Sequence, residues 1–332
     1  MARRCLLRWP VRDHETAVPT THDAVHDPRN ADVQVYVGDG VDTGDARFAH
    51  RDDASVSVFD SAFLVGDGIW DGIRLHHGRF AFLDLHLDRL FAGLQAVSIP
   101  PPFDRDGATA LLHAVADRNG MHDGAHVRLM VSRGRKTTPS QHPANLTGDG
   151  PTVVVIAEHK AANPDVTARG VALRTVSVRR PPPDTLDQRL NCHSKLHEVV
   201  ALVEATDAGA DEALMLDTNG NVATCNATNF FAIIDGVVTT SDATHNLPGI
   251  TRHVVLREAR AAGLPVHEGA FTPEDLDRAE EAFVTGTFGA LTPVREVDGR
   301  AFDPFPGPVT RRLQELYVAA IEADAPTCET CP

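Results

Sequence analysis

The chain has 332 residues, 42% of them hydrophobic, and a formal net charge of -15. That length and apolar content suffice for two packed domains, and the acidic balance excludes a surface built to track phosphate backbones, which needs clustered positive charge. No apolar run approaches the roughly 20 residues of a bilayer span, and "MARRCLLRWPV" lacks the apolar segment and small-residue cleavage site of a secretory signal. A cytoplasmic protein acting on a small molecule, with no nucleic acid and no membrane, is expected.

Residues 1–30 mix Arg, His, Asp, Pro and Thr without periodicity and read as a flexible extension. Order is expected to begin at "VQVYVGDG" and to continue as a small α/β domain over residues 31–158. Its predicted strands are "ASVSVFD", "GIRLHHGRFAF", "AHVRLMVSRG" and "PTVVVIAEH", rich in β-branched residues and bounded by Gly, Asp and Pro. Between them "DLHLDRLFAGLQAV" and "GATALLHAVADRNG" carry apolar residues at helical spacing. A linker over 159–166 lies in "KAANPDVTARG", where Asn-Pro favours a turn. A larger domain over 167–322 begins with strand "VALRTVSV" and passes through "RRPPPDTLDQRL" into a helix starting near Lys195. Then "DEALMLDTNGNVAT" predicts a hairpin turning at Asn219 and Gly220. Strands "NFFAIIDG" and "VVTT", helices "TRHVVLREARAAG" and "TPEDLDRA", strand "EAFVTGT" and helix "PVTRRLQELYVAAIEA" complete it, leaving a flexible tail over 323–332. Cys5, Cys192, Cys225, Cys328 and Cys331 are too scattered for a disulfide framework. The terminal "CETC" has no second pair and reads as solvated tail, so no metal site is expected.

The only lysines are Lys136, Lys160 and Lys195, so any lysine chemistry has few places to occur. In "LPGITRHVVLREARAAG" the backbone N–H groups following Gly249, at Ile250 and Thr251, open a helix whose positive end suits a phosphate. An ordinary Thr-capped helix is the plain alternative. His86 and Arg89 in "DLHLDRLFAGL" lie on one helical face, and an arginine fork suits a phosphate or carboxylate, although such an arginine is commonly a solvated side chain. In "VTGTFGALTPV" the amides and the Thr287 hydroxyl cup an anion of the same kind. Three anion signals and one isolated lysine together point to a phosphate-bearing cofactor that uses lysine, and pyridoxal 5'-phosphate fits that description.

The ordered set "VFDSAFLVGDGIWDGIRL", "HLDRL", "SRG", "GADEALMLDTNG", "TNFF", "LPGITR", "AFVTGTFGALTPV" and "GPVTRRL" resembles the class IV aminotransferases. That family of pyridoxal-phosphate enzymes includes branched-chain and D-amino-acid aminotransferases and aminodeoxychorismate lyase, and the likeness covers roughly residues 33–318. It implies an α+β two-domain fold of type IV with the cofactor in the interdomain cleft, a homodimer, and amino-acid and keto-acid substrates. It further implies that Arg89, Gly249, Ile250, Thr251 and Thr287 hold the phosphate and that Trp70 lines the substrate pocket; Trp70 and Phe288 by residue type suggest an apolar or aromatic lining, with plain packing the alternative. Arg133, with Arg135 as a second donor, would meet a substrate carboxylate; the plain alternative is a strand-end surface arginine.

Two positions depart from the family. Aligned through "GADEALMLD", Asn191 stands where the Schiff-base lysine is usual, and Lys195 falls one helical turn later, which makes Lys195 the expected catalytic amine. Thr224 stands where a glutamate usually holds the cofactor's ring nitrogen protonated, which implies a weaker electron sink. Cys225 beside it resembles the lyases, and Asp71 replaces a more usual glutamate. The expected activity is amino-group transfer through Lys195. A pyridoxal-phosphate lyase and a non-catalytic descendant of the fold are the alternatives.

Overall fold

Alternating burial sets the first sheet. The computed structural model describes residues 26–324, beginning with a 3₁₀ turn over Pro28–Asp32. Next come β1 (Gln34–Gly38), β2 (Phe48–His50), α1 (Ser61–Val65), β3 (Gly68–His76), β4 (Arg79–Phe80), α2 (Leu83–Ala96), α3 (Arg105–Arg118), β5 (Ala125–Ser132) and β6 (Thr152–His159). The strands form one antiparallel sheet in the order β2-β1-β6-β5-β3-β4. Along β5, Ala125, Val127, Leu129 and Val131 are buried in a core with Leu87, Leu90 and Leu94 of α2 and Leu111, Leu112 and Val115 of α3. Burying each leucine contributes about 1.5–3 kcal/mol. A one-residue slip of β5 would turn this whole set outward, so the pattern fixes the register. The alternate residues His126, Arg128 and Met130 face the other way.

α4 (Pro164–Arg169) follows, with Asn163 Oδ1 accepting the Asp165 N–H at 3.0 Å. The second unit contains β7 (Val171–Thr175), α5 (Leu196–Asp207), β8 (Glu212–Leu216), β9 (Val222–Cys225), β10 (Asn229–Ile234), β11 (Val237–Thr240) and α6 (Ile250–Ala261). It ends with β12 (Val266–Glu268), β13 (Ala279–Gly286), β14 (Ala290–Val297), β15 (Arg300–Ala301) and α7 (Pro308–Asp324). Its sheet runs β12-β11-β10-β13-β14-β7-β8-β9, with β15 paired to β14. The Cys225 N–H donates to Thr228 O at 2.9 Å, and the chain passes directly from edge strand β9 into β10. Those strands lie far apart in the strand order, so the sheet curls into a half-barrel. Every residue of β8 and β10 is buried; strands covered on both faces read as continuous apolar runs. Glu281 of β13 accepts the Val309 and Thr310 N–H groups at 3.0 and 2.7 Å, capping α7 where the helix dipole favours an anion.

The units are joined along a short antiparallel seam. Ile69 and Cys192 form a β-bridge, the Trp70 N–H donates to Asn191 O at 2.9 Å, and the His193 N–H donates to Gly68 O at 3.1 Å.

Several sequence expectations need correction. "ASVSVFD" alternates like a strand but has none of the neighbours a strand needs: it is irregular, and Val56, Val58 and Phe59 are exposed. Asp60 at its end caps α1 through the Ala62 N–H at 2.9 Å. "GIRLHHGRFAF" is a hairpin, reversing at His77 and Gly78. "TPEDLDRA" is a 3₁₀ turn over Glu274–Arg278, part of the expected linker is α4, and β14 is absent from the predicted elements. Residues 1–25 of the expected extension, and the Cys5 and "CETC" positions, lie outside the described residues. Among the described residues, no helix is long and apolar enough to cross a membrane.

Candidate active site

Successive residues of a strand point to opposite faces, so Asp71 and Trp70 of β3 serve different surroundings. Asp71 is buried toward α2, where His86 and Arg89 stand on one helical face. Arg89 Nε and Nη2 each donate to the Asp71 carboxylate at 2.9 Å, and His86 Nδ1 lies 2.6 Å from it. Burial alone would raise the Asp71 pKa, but Arg89 and then His86 hold it at about 2. The ionised carboxylate locks the arginine fork.

The remaining reach of Arg89 is toward α6: Nη1 donates to Pro248 O at 3.3 Å. Gly249 follows as the N-cap, with no side-chain cap, so the first backbone N–H groups of α6 have no intrahelical partner. A β-carbon at Gly249 would collide with Asn229 Oδ1. The fork of Arg89 and the amides of Ile250 and Thr251 therefore meet at one cationic helix end. The Thr251 hydroxyl itself is buried against Tyr317, 3.3 Å from its hydroxyl, so Thr251 offers only its N–H. Thr287 is half-buried in the turn after β13. Two residues earlier, Thr285 has a buried Oγ1 without a partner among the described residues, a feature that the small-residue pattern does not single out.

Lys195 is the N-cap of α5. Its side chain is 28% exposed, and Nζ lies 3.5 Å from Glu198 Oε1. Glu198 also accepts from Arg180 Nη1 at 2.5 Å, and buried Arg180 passes its Nε–H to His245 O at 3.0 Å. The loop His245–Pro248 thus carries the Lys195 ion pair at one end and Arg89 at the other. Asn229 Nδ2 donates to Leu247 O at 3.0 Å in the middle of the same loop and lies 3.5 Å from Thr224 Oγ1. Thr224 gives its hydroxyl proton to Thr228 O at 2.8 Å, which leaves it only an acceptor. Sequence reading misses Arg180, Glu198 and Asn229, because their roles depend on this loop, which no local pattern announces. Asn191 is buried in the seam, its carbonyl occupied by Trp70.

On the other face of β3 the Trp70 ring lies 4.0 Å beneath the Arg128 guanidinium, and Trp70 Nε1 donates to Cys192 O at 3.2 Å. Gly72 is needed there, since a β-carbon would stand 2.9 Å from His126 Nε2. Phe288 reaches over from the β13–β14 turn, its ring 6.4 Å from His126 and 4.6 Å from Lys160 Nζ. Burial, with Lys160 and Arg128 nearby, drives the His126 pKa down to about 3, so the ring is neutral. Lys160 therefore borders the pocket, although sequence reading leaves it in the linker. Lys136 is buried with Nζ on His142 O at 3.2 Å.

Arg133 and Arg135 are not at this face. Arg133 clamps Asp67 through Nε and Nη2 at 2.6 and 3.0 Å and donates to Ser98 O and Val97 O. Its donors are consumed in closing the end of α2. Arg135 is exposed and pairs with Asp149 at 2.6 Å. Arg128 has no carboxylate within ion-pair distance among the described residues, and sequence reading passes over it as a strand position. His193 Nε2 is also buried without a partner among the described residues.

The family model "Amino-transferase class IV" matches residues 68–297. Branched-chain-amino-acid aminotransferase-like protein 1 of Arabidopsis thaliana is 36% identical over 291 residues, 87% of this chain and 51% of that protein. The chain thus spans about half the length of the first curated relatives it matches. The branched-chain-amino-acid aminotransferase of Pseudomonas aeruginosa is 33% identical over 287 residues, 84% of this chain and 92% of that protein. Among solved structures, the branched-chain aminotransferase from the thermophilic archaeon Thermoproteus uzoniensis with norvaline superposes with a TM-score of 0.77 at 26% identity, covering 89% of this chain and 96% of that one.

Behind Thr224 the site rests on a buried acid. Thr228 Oγ1 donates to Glu212 Oε2 at 2.7 Å, and burial, with Asp211 nearby, lifts the Glu212 pKa to about 7. Because the folded pKa exceeds the unfolded value, the folded state binds the proton more tightly. This contribution is fully present below about pH 4.5, fades as pH rises, and is gone above about 7. Ionised Glu212 then costs the fold about 3 kcal/mol relative to a neutral isostere. Glu212→Gln is expected to raise the melting temperature at pH 8 and to change it little at pH 4.5. A gain of equal size at both values, measured by thermal denaturation, would contradict this.

Proposed function

Because this chain belongs to the class IV aminotransferase family, we propose that it transfers an amino group between an amino acid of branched-chain or D-amino-acid type and a 2-keto acid, with pyridoxal 5'-phosphate as cofactor. The observation that carries this reading is the His245–Pro248 loop, which ties a lysine amine and an arginine-lined helix N-terminus to one stretch of backbone.

The donor set suits the cofactor. Arg89 and the Ile250 and Thr251 amides supply charge and donors for its phosphate, Thr287 and the orphaned Thr285 hydroxyl lie on the adjoining strand end, and Lys195 supplies the amine that anchors its carbonyl. When bound, pyridoxal phosphate supplies a carbonyl that condenses with amines and a ring that takes up the electron pair left at Cα. Lys195 Nζ is the group that takes the proton from Cα and returns it, and its ion pair with Glu198 holds it close to the loop. Thr224 spends its proton on Thr228, so it accepts a hydrogen bond from the ring nitrogen without neutralising a positive charge there. Arg128, on the pocket face and without a carboxylate at ion-pair distance among the described residues, binds the substrate carboxylate, with Trp70, Phe288 and neutral His126 as walls.

The protein acts as a homodimer in this reading. Phe63 (70% exposed) and Val65 (39%) of α1 and Leu196 (75%), Val199 (51%) and Val200 (47%) of α5 are exposed apolar side chains, and Ser194 Oγ donates to Gly66 O at 3.4 Å where the two helices approach. Exposed apolar residues on both helices support a contact surface here, next in sequence to Lys195. Leu196→Asp is expected to shift sedimentation from dimer to monomer; an unchanged coefficient would refute the pairing.

Steady-state transfer from a panel of L- and D-amino acids to 2-oxoglutarate or pyruvate tests the reaction. Lys195→Ala is expected to cut kcat by about 10²–10⁴-fold. Arg128→Met should raise KM by about 10–100-fold, the loss of a charge-assisted carboxylate contact, whereas Arg133→Met should chiefly lower thermal stability. Full activity of Lys195→Ala would overturn the reading.

A further inference from the structure

Two imidazoles at the far end of β3 take no part in this chemistry. His76 ends the strand, and His77 (φ 49°) and Gly78 (φ 76°) make the two-residue turn into β4, a turn in which Asn or Gly is the usual first residue. The His76 and His77 rings lie side by side, centroids 4.0 Å apart. Two carboxylates from distant parts of the chain flank both rings. Asp123, between α3 and β5, stands 3.4 Å from His76 Nδ1 and 3.9 Å from His77 Nδ1. Glu322 of α7 stands 2.9 Å from His76 Nε2 and 3.8 Å from His77 Nε2. The His77 N–H also donates to Asp123 Oδ1 at 3.1 Å, which keeps that carboxylate beside the turn.

One donor atom from each of His76, His77 and Asp123 lies within 4.8 Å of the other two. Zinc bonds of about 2.0–2.2 Å place ligand atoms roughly 3.4 Å apart on a tetrahedron. Rotation of Asp123 and His77, whose side chains are 53% and 38% exposed, supplies the contraction. Two imidazoles and one carboxylate match borderline divalent ions rather than Ca²⁺ or Mg²⁺, which take oxygen ligands. Glu322 has the place of the outer carboxylate common in such sites: by accepting the His76 Nε2–H it leaves the Nδ1 lone pair on the side of Asp123 for the ion.

We propose that His76 Nδ1, His77 Nδ1 and Asp123 bind a divalent transition-metal ion such as Zn²⁺, with Glu322 orienting His76 and water completing the coordination. The ligands all belong to the first unit and Glu322 to α7, so the ion is coupled to the second unit through the His76–Glu322 contact. The Phe82 N–H already donates to Asp324 Oδ2 beside it, at 2.5 Å.

Equilibrium dialysis of the full-length protein against Zn²⁺ in chelator-stripped buffer tests this, with thermal denaturation in parallel. One ion is expected to bind and raise the melting temperature, and Cys328→Ser/Cys331→Ser should bind it unchanged. His77→Asn, which the positive φ accepts, and Asp123→Asn should abolish it. Glu322→Gln should weaken it by about 10–100-fold. Co²⁺ in place of Zn²⁺ should give ligand-field bands with no thiolate charge-transfer band. Absence of binding, binding that survives both ligand substitutions, or binding lost with the cysteines would each overturn the proposal.

Discussion

A single antiparallel bridge between Ile69 and Cys192 ties the start of α5 to β3, and the geometry of the cleft follows from that contact. Through the Trp70–Asn191 and His193–Gly68 backbone hydrogen bonds, β3 and the start of α5 are held in a single register. The register places Trp70 on one face of β3 and Asp71 on the other. Lys195, three residues beyond Cys192, is linked to the His245–Pro248 loop through Glu198 and Arg180. Side chains on either side are then fixed by ion pairs: Asp71 with Arg89, and Glu198 with Arg180 and Lys195. Backbone bonds of this kind do not depend on which residue stands at 191. That explains how an asparagine occupies the position without disturbing the fold.

The electrostatics divide the site in two. On the Arg89 side a buried carboxylate is kept ionised at neutral pH by two partners, and a helix end adds partial positive charge. On the Thr224 side the groups that meet the middle of the loop are uncharged: Asn229 Nδ2 donates to Leu247 O and lies 3.5 Å from the Thr224 hydroxyl. A buried acid, Glu212, lies behind Thr228, has a pKa lifted to about 7, and is linked to Thr224 through the Thr228 residue that both contact. A site of this form holds an anion firmly and offers little to stabilise a cation at the opposite end. In the proposed reaction, this arrangement would place more weight on the base that moves the proton than on the depth of the electron sink.

Much of the fold is legible because burial has a period. β5 and β6 alternate, α2 and α3 repeat at helical spacing, and Asn219 and Gly220 turn the β8–β9 hairpin as their chemistry requires. The failures have physical causes. "ASVSVFD" alternates, yet Val56, Val58 and Phe59 stay exposed among the described residues. "GIRLHHGRFAF" hides a turn, because histidine at positive φ is not a recognised turn signal. Around the candidate site, residue type and position lead to Arg89, Gly249 and Lys195, and the structure brings Arg89 to the Pro248 carbonyl beside the Gly249 helix end; the roles of all three belong to the proposal. Arg133 is misread from sequence: adjacency to a motif does not reveal that Asp67 and two carbonyls consume its donors. Arg128, His126 and Arg180 become visible only when strands pair and the loop closes.

Lys195 as the anchoring amine is the step on which the functional reading turns, and Lys160, 4.6 Å from the Phe288 ring, is its rival. Borohydride reduction of the full-length protein loaded with pyridoxal phosphate, followed by peptide mapping of the modified lysine, distinguishes them. A label confined to Lys195 is the expected result. A label on Lys160 or Lys136, or on no lysine, would contradict it.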